Sequence, residues 1–395
     1  MATDIGDVPA LARLQNRAAV VGLVGLAAGA LGAFTNTDQF FRSWLIGFLF
    51  CLGLTLGSLA LLMLQHMSGG QWGLVGRRVF EASTRTLPVV ILMFVPVLFG
   101  MHELFLWARP EAVQGDPILL KKAPYLNVTF FIVRAVIYFV VWLLCSTLLN
   151  RWSAQQDRGG ALTTADSVRF RVVSAPGLLA YILTMTFASV DWVMSLDPHW
   201  YSTIFGLLTV SGQGLAALAF TIAVLAIIFP TGALGQVVTA RHFHDLGKLL
   251  LAFVMLWAYL SFSQFLIIWS GNLPEEIPWY LERMRGGWGV VAMVLVVGHF
   301  ALPFALLLSR DLKHHSALLM KVAVIVLAMR LVDLIWLIAP VFEHEGFPVH
   351  WMDVVIPVGL LGVWVFVFAM QLRSRALLPV NDPYFKEAFA HGAGH

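Results

Sequence analysis

The segment 320–340, "MKVAVIVLAMRLVDLIWLIAP", is apolar and long enough to cross a bilayer, yet it carries Lys321, Arg330 and Asp333. An ionised side chain in the middle of a membrane costs at least about 2.5–3.5 kcal/mol. Arg330 and Asp333 are three residues apart, so they lie on one face of a helix and can form an ion pair. Lys321 precedes Asp333 by about 18 Å along the helix. Because such charges are costly in a membrane, their presence indicates a role, either in helix association or in proton transfer.

Five further ionisable residues fall inside apolar segments: His102, Glu103, Arg134, Asp191 and His299. A histidine titrates near neutral pH and can relay protons. Groups whose pKa values are shifted by burial cluster at functional positions. We therefore interpret one set of residues as a proton path, with a weaker exit at Asp197 and His199: His102, Glu103, Asp191, His299, Lys321, Arg330 and Asp333.

Simpler structural roles remain open for several of these side chains. The Arg330–Asp333 pair can hold helices together without moving protons. Lys321 can extend its amine to the membrane surface and keep only its hydrocarbon stem in the apolar layer. His102 can donate a hydrogen bond to a neighbouring carbonyl. The residue types alone therefore do not separate a relay from a set of packing contacts.

The cysteines and histidines argue against a metal or covalent cofactor. Cys51 and Cys145 lie in apolar segments and form no CxxC or CxxCH motif, so we expect no disulfide framework, zinc site or covalently attached haem. Haem b needs two histidines that face each other from different helices. Apart from His315 at the first position of span 315–340, only His66, His102 and His299 fall in predicted spans, and no pair of them recurs along the chain.

The composition places these residues in an integral membrane protein. The chain has 395 residues, of which 59% are hydrophobic and 12% charged, and its mean hydropathy is +0.82. A soluble domain is usually about one quarter charged. The net charge of +3 is small and dispersed, which argues against nucleic acid as a partner. The N-terminal segment lacks a cleavable-signal pattern, so we expect the first apolar segment to be retained.

A helical span needs about 20 mostly apolar residues. The sequence predicts ten spans: 18–36, 40–66, 82–107, 124–149, 172–196, 201–229, 246–270, 286–309, 315–340 and 351–372. The third begins with the amphipathic stretch "GRRVFEASTR", which is typical of a segment lying in the membrane interface. Most loop lysines and arginines fall on the side that carries both chain ends, so the positive-inside rule predicts that both termini are cytoplasmic.

Two parts of the chain resemble each other. "ASVDWVMSLDP" in span 5 resembles "MRLVDLIWLIAP" in span 9, which aligns Asp191 with Asp333. "FGMHELFLWARP" and "YLSFSQFLIIWSGN" end spans 3 and 7, and they align His102 with Gln264. The order of these similarities predicts two tandem four-helix bundles, spans 2–5 and 6–9, with spans 1 and 10 peripheral. The corresponding predicted units are 1–39, 40–200, 201–340 and 341–395.

Longer motifs resemble one family. "SVDWVMSLDPHWYSTIFG" (189–206), "FHDLGKLLLAFVMLWAYLSFSQFLIIWSGNLPEEIPWYLERMRGGWG" (243–289) and "HFALPFALLLSRDLK" (299–313) resemble the ActF family. These are the second polysulfide-reductase-like, or NrfD-like, membrane subunits of bacterial alternative complex III. The resemblance implies a ten-helix inner-membrane protein with two four-helix bundles. It also implies a role in a respiratory complex that oxidises quinol and reduces a periplasmic cytochrome c, a similar carrier or an associated terminal oxidase.

The same resemblance implies partners and a division of labour. Iron–sulfur clusters and c-type haems lie on other subunits, and a paralogous membrane subunit holds the principal quinol site. This subunit is then expected to supply a proton path and a scaffold, with a second quinone site open. Gln264 stands where the first bundle has His102, which leaves the second path less complete. Two other functions remain as alternatives, a structural anchor and an independent secondary transporter.

Overall fold

A computed structural model describes residues 8–159, 164–228, 238–342, 350–379 and 381–382, and every regular element in these ranges is helical. The long helices are α1 Pro9–Thr35, α2 Thr37–Ser68, α3 Gln71–Thr84, α4 Leu87–Phe99, α5 Val128–Arg158, α6 Thr164–Trp192, α7 Phe205–Ile228, α8 Ala240–Gly271, α9 Trp288–Leu308, α10 Ser316–Ile338 and α11 Met352–Arg373. Within the described ranges nine helices are long and apolar enough to cross a membrane. The prediction of an all-α, multi-span membrane protein is confirmed.

Helices α3 and α4 together correspond to the third predicted span, but they form a bent pair. Their axes differ by 43° at the break between Thr84 and Leu87. Pro88 lies in the first turn of α4, where its missing N–H leaves no intrahelical bond unmade. The apolar helix ends at Phe99, and a four-residue helix and a 3₁₀ turn follow. The predicted span 82–107 therefore has the wrong boundaries, because a local break divides it.

Helices α2 and α7 form the centre of the molecule. In each, 94% of the most apolar stretch is buried by other helices, against 33% or less in α5, α6, α8 and α9. Helix α2 packs against α3, α4, α6, α7 and α11, while α7 packs against α2, α6, α8 and α10. Helices α1 and α11 pack on each other along their length, beside α2. The outer helices consequently present apolar surfaces suited to lipid.

The amphipathic stretch of α3 is buried in protein, which corrects the prediction that it lies in the membrane interface. Arg77, Arg78 and Glu81 are each no more than 2% exposed. Arg77 donates to Glu81 (Nε–Oε1 2.8 Å), and Arg78 donates to the other oxygen (Nη1–Oε2 2.7 Å). The sequence pattern was ambiguous because the polar face of a helix can meet either water or other polar groups.

Those other polar groups come from distant parts of the chain. On α5, Gln156 accepts from Arg77 (Nη2–Oε1 2.7 Å), and Ser153 donates to Glu81 (Oγ–Oε1 2.7 Å). Asp382, beyond α11, binds Arg77 at 2.5 Å. This buried network ties α3, α5 and the segment after α11 together. We call the side of the molecule that carries it the arginine-rich face.

Candidate functional site

The best-formed candidate site is centred on Asp191, near the C-terminal end of α6. Its carboxylate is fully buried and receives two hydrogen bonds from Arg134 of α5 (Nε–Oδ2 2.8 Å and Nη2–Oδ1 2.9 Å). Tyr138, one turn after Arg134 on the same face of α5, donates a third (OH–Oδ2 2.8 Å). The bidentate geometry is the strong form of an arginine–carboxylate pair. We call Asp191, Arg134 and Tyr138 the Asp191 cluster.

The loop before α5 holds the arginine in place. Asn127 caps α5 by accepting a hydrogen bond from the Phe130 amide at 2.9 Å, which sets the start of the helix two turns before Arg134. The Tyr125 carbonyl accepts a third guanidinium hydrogen bond (Nη1–O 2.9 Å), and the centre of the Tyr125 ring lies 3.8 Å from the guanidinium carbon. Burial raises the pKa of Tyr125 to about 12, so its phenol stays neutral at physiological pH.

A cavity of about 370 Å³ lies beside the Asp191 cluster, toward the face opposite the arginine-rich one. It is lined by Lys121, Lys122, Pro124, Tyr125, Leu126, Val190, Met194, Ser195, Pro198, Trp200 and Tyr201. Two of these residues also contact the cluster. Tyr125 packs on Arg134, and the Ser195 hydroxyl donates to the Asp191 carbonyl. Tyr125 and Ser195 therefore link the cavity to the Asp191 cluster.

The residues predicted to form the exit lie at the mouth of this region. His199 is exposed, and its ring contacts the Asp116 carboxylate at 2.5 Å. Asp116 also accepts from the Ile118 amide at 2.8 Å, which caps the short helix Pro117–Lys122. Lys122 donates to the Pro198 carbonyl at 2.6 Å and so closes the loop onto the chain beyond α6. Asp197 is partly buried in the same turn.

The contact between His199 and Asp116 predicts a pH-dependent loop. The hydrogen bond from His199 lowers the pKa of Asp116 below its usual value of about 3.9. A carboxylate with a lowered pKa stabilises the folded form above its unfolded pKa and loses that effect as pH falls. We expect the hydrogen-exchange protection of the Ile118 amide to fall below about pH 4. The Gln39 amide, which is capped by the neutral Asn36, serves as the control. Parallel loss at both amides would contradict this explanation.

A second charged pair lies outside the Asp191 cluster, on α10. Arg330 and Asp333 of α10 form the predicted ion pair, and both side chains are nearly buried (5% and 6% exposed). The guanidinium packs against Gly212 of α7, where an added Cβ would lie 2.6 Å from the Arg330 Cζ. A larger residue at this position would displace the guanidinium. The pair therefore joins α10 to the central helix α7.

His299 lies close to this pair, in a π-helical turn of α9 that spans Val296–Ala301. Pro303 has no N–H to donate to the His299 carbonyl, which favours the wider turn. The imidazole is fully buried and packs against Trp257 of α8, with ring centroids 4.1 Å apart. Both ring nitrogens lack a hydrogen-bond partner among the described residues. Single π turns occur frequently at functional sites.

Three predicted path residues are not brought to either cluster. His102 is exposed, and Lys321 is exposed on the surface of α10. Glu103 is partly buried, and its Oε2 has no partner among the described residues. Arg109 donates to the backbone carbonyls of His102 and Glu103 (2.6 and 3.1 Å), not to their side chains. Among the described residues, the predicted path side chains thus form two separate clusters, with no hydrogen bond or ion pair between the two.

The positions aligned by the internal similarity have partly different surroundings. Asp191 and Asp333 are both buried and both paired with an arginine, one on a neighbouring helix and one on the same helix. Gln264 is buried and accepts from Ser202 (3.1 Å), whereas His102 is exposed. Sequence reasoning singled out Asp191 but missed Tyr138. The four-residue spacing from Arg134 was the available signal, since it places both side chains on one helix face.

The Asp191 cluster places a carboxylate bound by Arg134 and Tyr138 beside the cavity. In the described part of the chain, no group of three His, Cys, Asp or Glu side chains is placed to hold a metal ion. Comparison of the chain with protein-family models and with curated proteins finds no match.

Proposed function

We propose that the protein is a membrane subunit of a respiratory complex that oxidises quinol and reduces a periplasmic cytochrome c or a similar acceptor. In this role it contributes a transmembrane proton path and a scaffold for subunits that carry the redox centres. The motif resemblance to the ActF family and the all-α, multi-span fold support this assignment. The bacterial inner membrane, with both termini cytoplasmic, is the corresponding location.

The observation that carries the proton role is the Asp191 cluster under its cavity. Asp191 is fully buried and bound by Arg134, so bulk water does not contact the carboxylate. Proton transfer therefore requires the guanidinium to move away, and the cluster acts as a gate. Lys122 and the Ser195 hydroxyl line the cavity side of this gate. His299, Arg330 and Asp333 form the matching group in the second half.

The gate is best tested by a change that leaves the ion pair intact. Tyr138→Phe removes one hydrogen bond to Asp191 but keeps both bonds from Arg134. In the complex reconstituted into liposomes, we expect this variant to change the rate of proton movement by about tenfold, since one net hydrogen bond to a charged group is worth about 1.5 kcal/mol and each 1.4 kcal/mol is a factor of about ten. Tyr181→Phe is the matched control, because that buried hydroxyl donates to the neutral Gln213 (2.7 Å).

Equal rates of proton movement in Tyr138→Phe, Tyr181→Phe and the unmodified complex would contradict the proposed proton role. A structural anchor is the second candidate, and one observation favours it. Every charge of the Asp191 cluster is already satisfied by fixed neighbours, which is what a static helix clamp requires. An anchor would still assemble with redox subunits, so unchanged proton movement together with intact assembly would assign that function.

Membership of the complex is tested by purification from native membranes. We expect the chain to co-purify with a multihaem cytochrome c and an iron–sulfur subunit. Isolation as a single polypeptide under mild detergent would contradict the proposal and favour an independent transporter. The 370 Å³ cavity falls in the size range of small-ligand sites, about 300–1,000 Å³, and its aromatic lining suits a quinone ring. Protection of Tyr201 from chemical labelling by added quinone would test that second site.

A further inference from the structure

A second cavity lies on the arginine-rich face, far along the chain from the Asp191 cluster. Its volume is about 540 Å³, and it opens between the first turn of α3 and the beginning of α8. The lining residues are Trp72, Arg241, Asp245, Lys248, Leu249 and Ala252. The cavity thus combines two cations and one carboxylate with an indole and two aliphatic side chains.

The net charge of the side chains that line this cavity is positive. Arg241 and Lys248 are exposed, and Asp245 lies 3.4 Å from the Lys248 amine and offsets one of the two cations. Lys313, on the short helix Arg310–His314, packs across Gly247 of α8 and adds a third cation beside them. Burial and the nearby Lys248 lower the pKa of Lys313, as expected where cations crowd together.

The apolar side of the cavity continues along α8 toward the middle of the membrane. Ala252 is followed on the same helix face by Met255, Leu256 and Tyr259, which are 43%, 43% and 67% exposed. In a spanning helix such exposed side chains face hydrocarbon. Trp72 lies at the level of the cations, where indoles are favoured at the membrane interface. A cationic cavity therefore opens directly onto a lipid-facing apolar stripe.

We propose that this cavity binds the phosphate of an anionic phospholipid, whose acyl chains lie along the α8 stripe. Basic pockets between transmembrane helices on the cytoplasmic side recognise such headgroups. Arg241 and Lys248 provide the charge, and the guanidinium supplies paired donors for phosphate oxygens. The apolar stripe selects a lipid over free phosphate, because inorganic phosphate has nothing to bury against Met255 and Leu256.

The test uses the full chain, purified in detergent and stripped of lipid. Phosphatidylglycerol binding is measured by native mass spectrometry for the wild type and for the double variant Arg241→Gln/Lys248→Gln. We expect about 30-fold weaker binding in the variant, at about 1 kcal/mol for each cation removed. Arg151→Gln/Arg158→Gln is the matched control, since it removes the same charge from exposed positions at the end of α5 on the same face.

Each other outcome counts against the proposal. Binding by the double variant within about threefold of wild type would show that the cavity does not hold the headgroup. An equal loss in the control variant would show that only the diffuse charge of the face matters. Full competition by glycerol phosphate would assign the cavity to a soluble phosphate compound. Equal affinity for phosphatidylcholine would show that the cations do not select the lipid.

Discussion

Asp191→Asn is expected to lower the free energy of unfolding by about 3–5 kcal/mol, because it leaves the buried Arg134 guanidinium without a counter-charge. Asparagine matches aspartate in shape, so packing changes little and the effect reports the lost charge. Asp191 is fully buried and makes both bonds of the bidentate pair, which leaves water unable to replace the carboxylate. Reversible unfolding in mixed micelles, followed by tryptophan fluorescence, measures this difference.

Asp245→Asn is the matched control for this charge removal. Asp245 pairs with Lys248 at 3.4 Å, but the two side chains are 34% and 58% exposed. Exposed pairs of this kind contribute about 0–1 kcal/mol. The two variants carry the same chemical change, so the difference between them isolates burial. If Asp191→Asn were no more destabilising than Asp245→Asn, the Asp191 cluster would not be the buried ion pair described above.

Gly57→Ala is expected to lower the free energy of unfolding more than any other glycine-to-alanine change between the two central helices, α2 and α7. Gly57 of α2 meets the backbone of α7, and a Cβ there would lie 2.1 Å from the Gln213 carbonyl oxygen. Neither backbone can rotate away as a side chain does, so the two central helices must separate. Overpacking of a core costs about 1–3 kcal/mol and occasionally more. Because α2 and α7 pack on each other and each packs on at least three further helices, we expect the upper end of that range.

Gly53→Ala supplies the comparison for that variant. Gly53 lies one turn earlier on α2, and its added Cβ would come no closer than 3.5 Å to the Gln213 side chain. That distance is ordinary van der Waals contact, and alanine has the higher helix propensity, so we expect no loss of stability. Thermal unfolding of both variants in the same detergent gives the readout. Equal melting temperatures for the two would mean that α2 and α7 are not in backbone contact at Gly57.

The gate and anchor interpretations of the Asp191 cluster differ in one physical respect. A gate requires that Arg134 leave Asp191 at times, and the cavity beside Tyr125 and Ser195 provides space next to the pair. An anchor requires that the pair never open. The stability change in Asp191→Asn is expected under both interpretations. Tyr138→Phe separates the two interpretations, because it removes one hydrogen bond to the Asp191 carboxylate without breaking the ion pair with Arg134.

The spans and the chemistry within single helices were determined by the sequence alone. Apolar length is a one-dimensional property, so nine of the ten predicted spans match long apolar helices, whereas the third is divided by a break that the sequence pattern did not locate. The Arg330–Asp333 pair was likewise predictable, since a spacing of three residues places both side chains on one face of the helix. The resemblance between the Asp191 and Asp333 segments is also a property of the sequence. All of these inferences use the residues of single segments or the likeness of two segments, and none requires knowing which helices are in contact.

Contacts between helices were decided by the tertiary structure. Arg134 and Asp191 are 57 positions apart, and Arg77 and Asp382 are 305 apart, so no local spacing pairs them. The polar face of α3 has the same pattern whether it meets water or the buried partners that it meets here. His102 and Lys321 lie in apolar segments, but they are exposed because a helix presents only part of its circumference to its neighbours. Which residues share an interior depends on helix rotation, and packing against α2 and α7 sets that rotation.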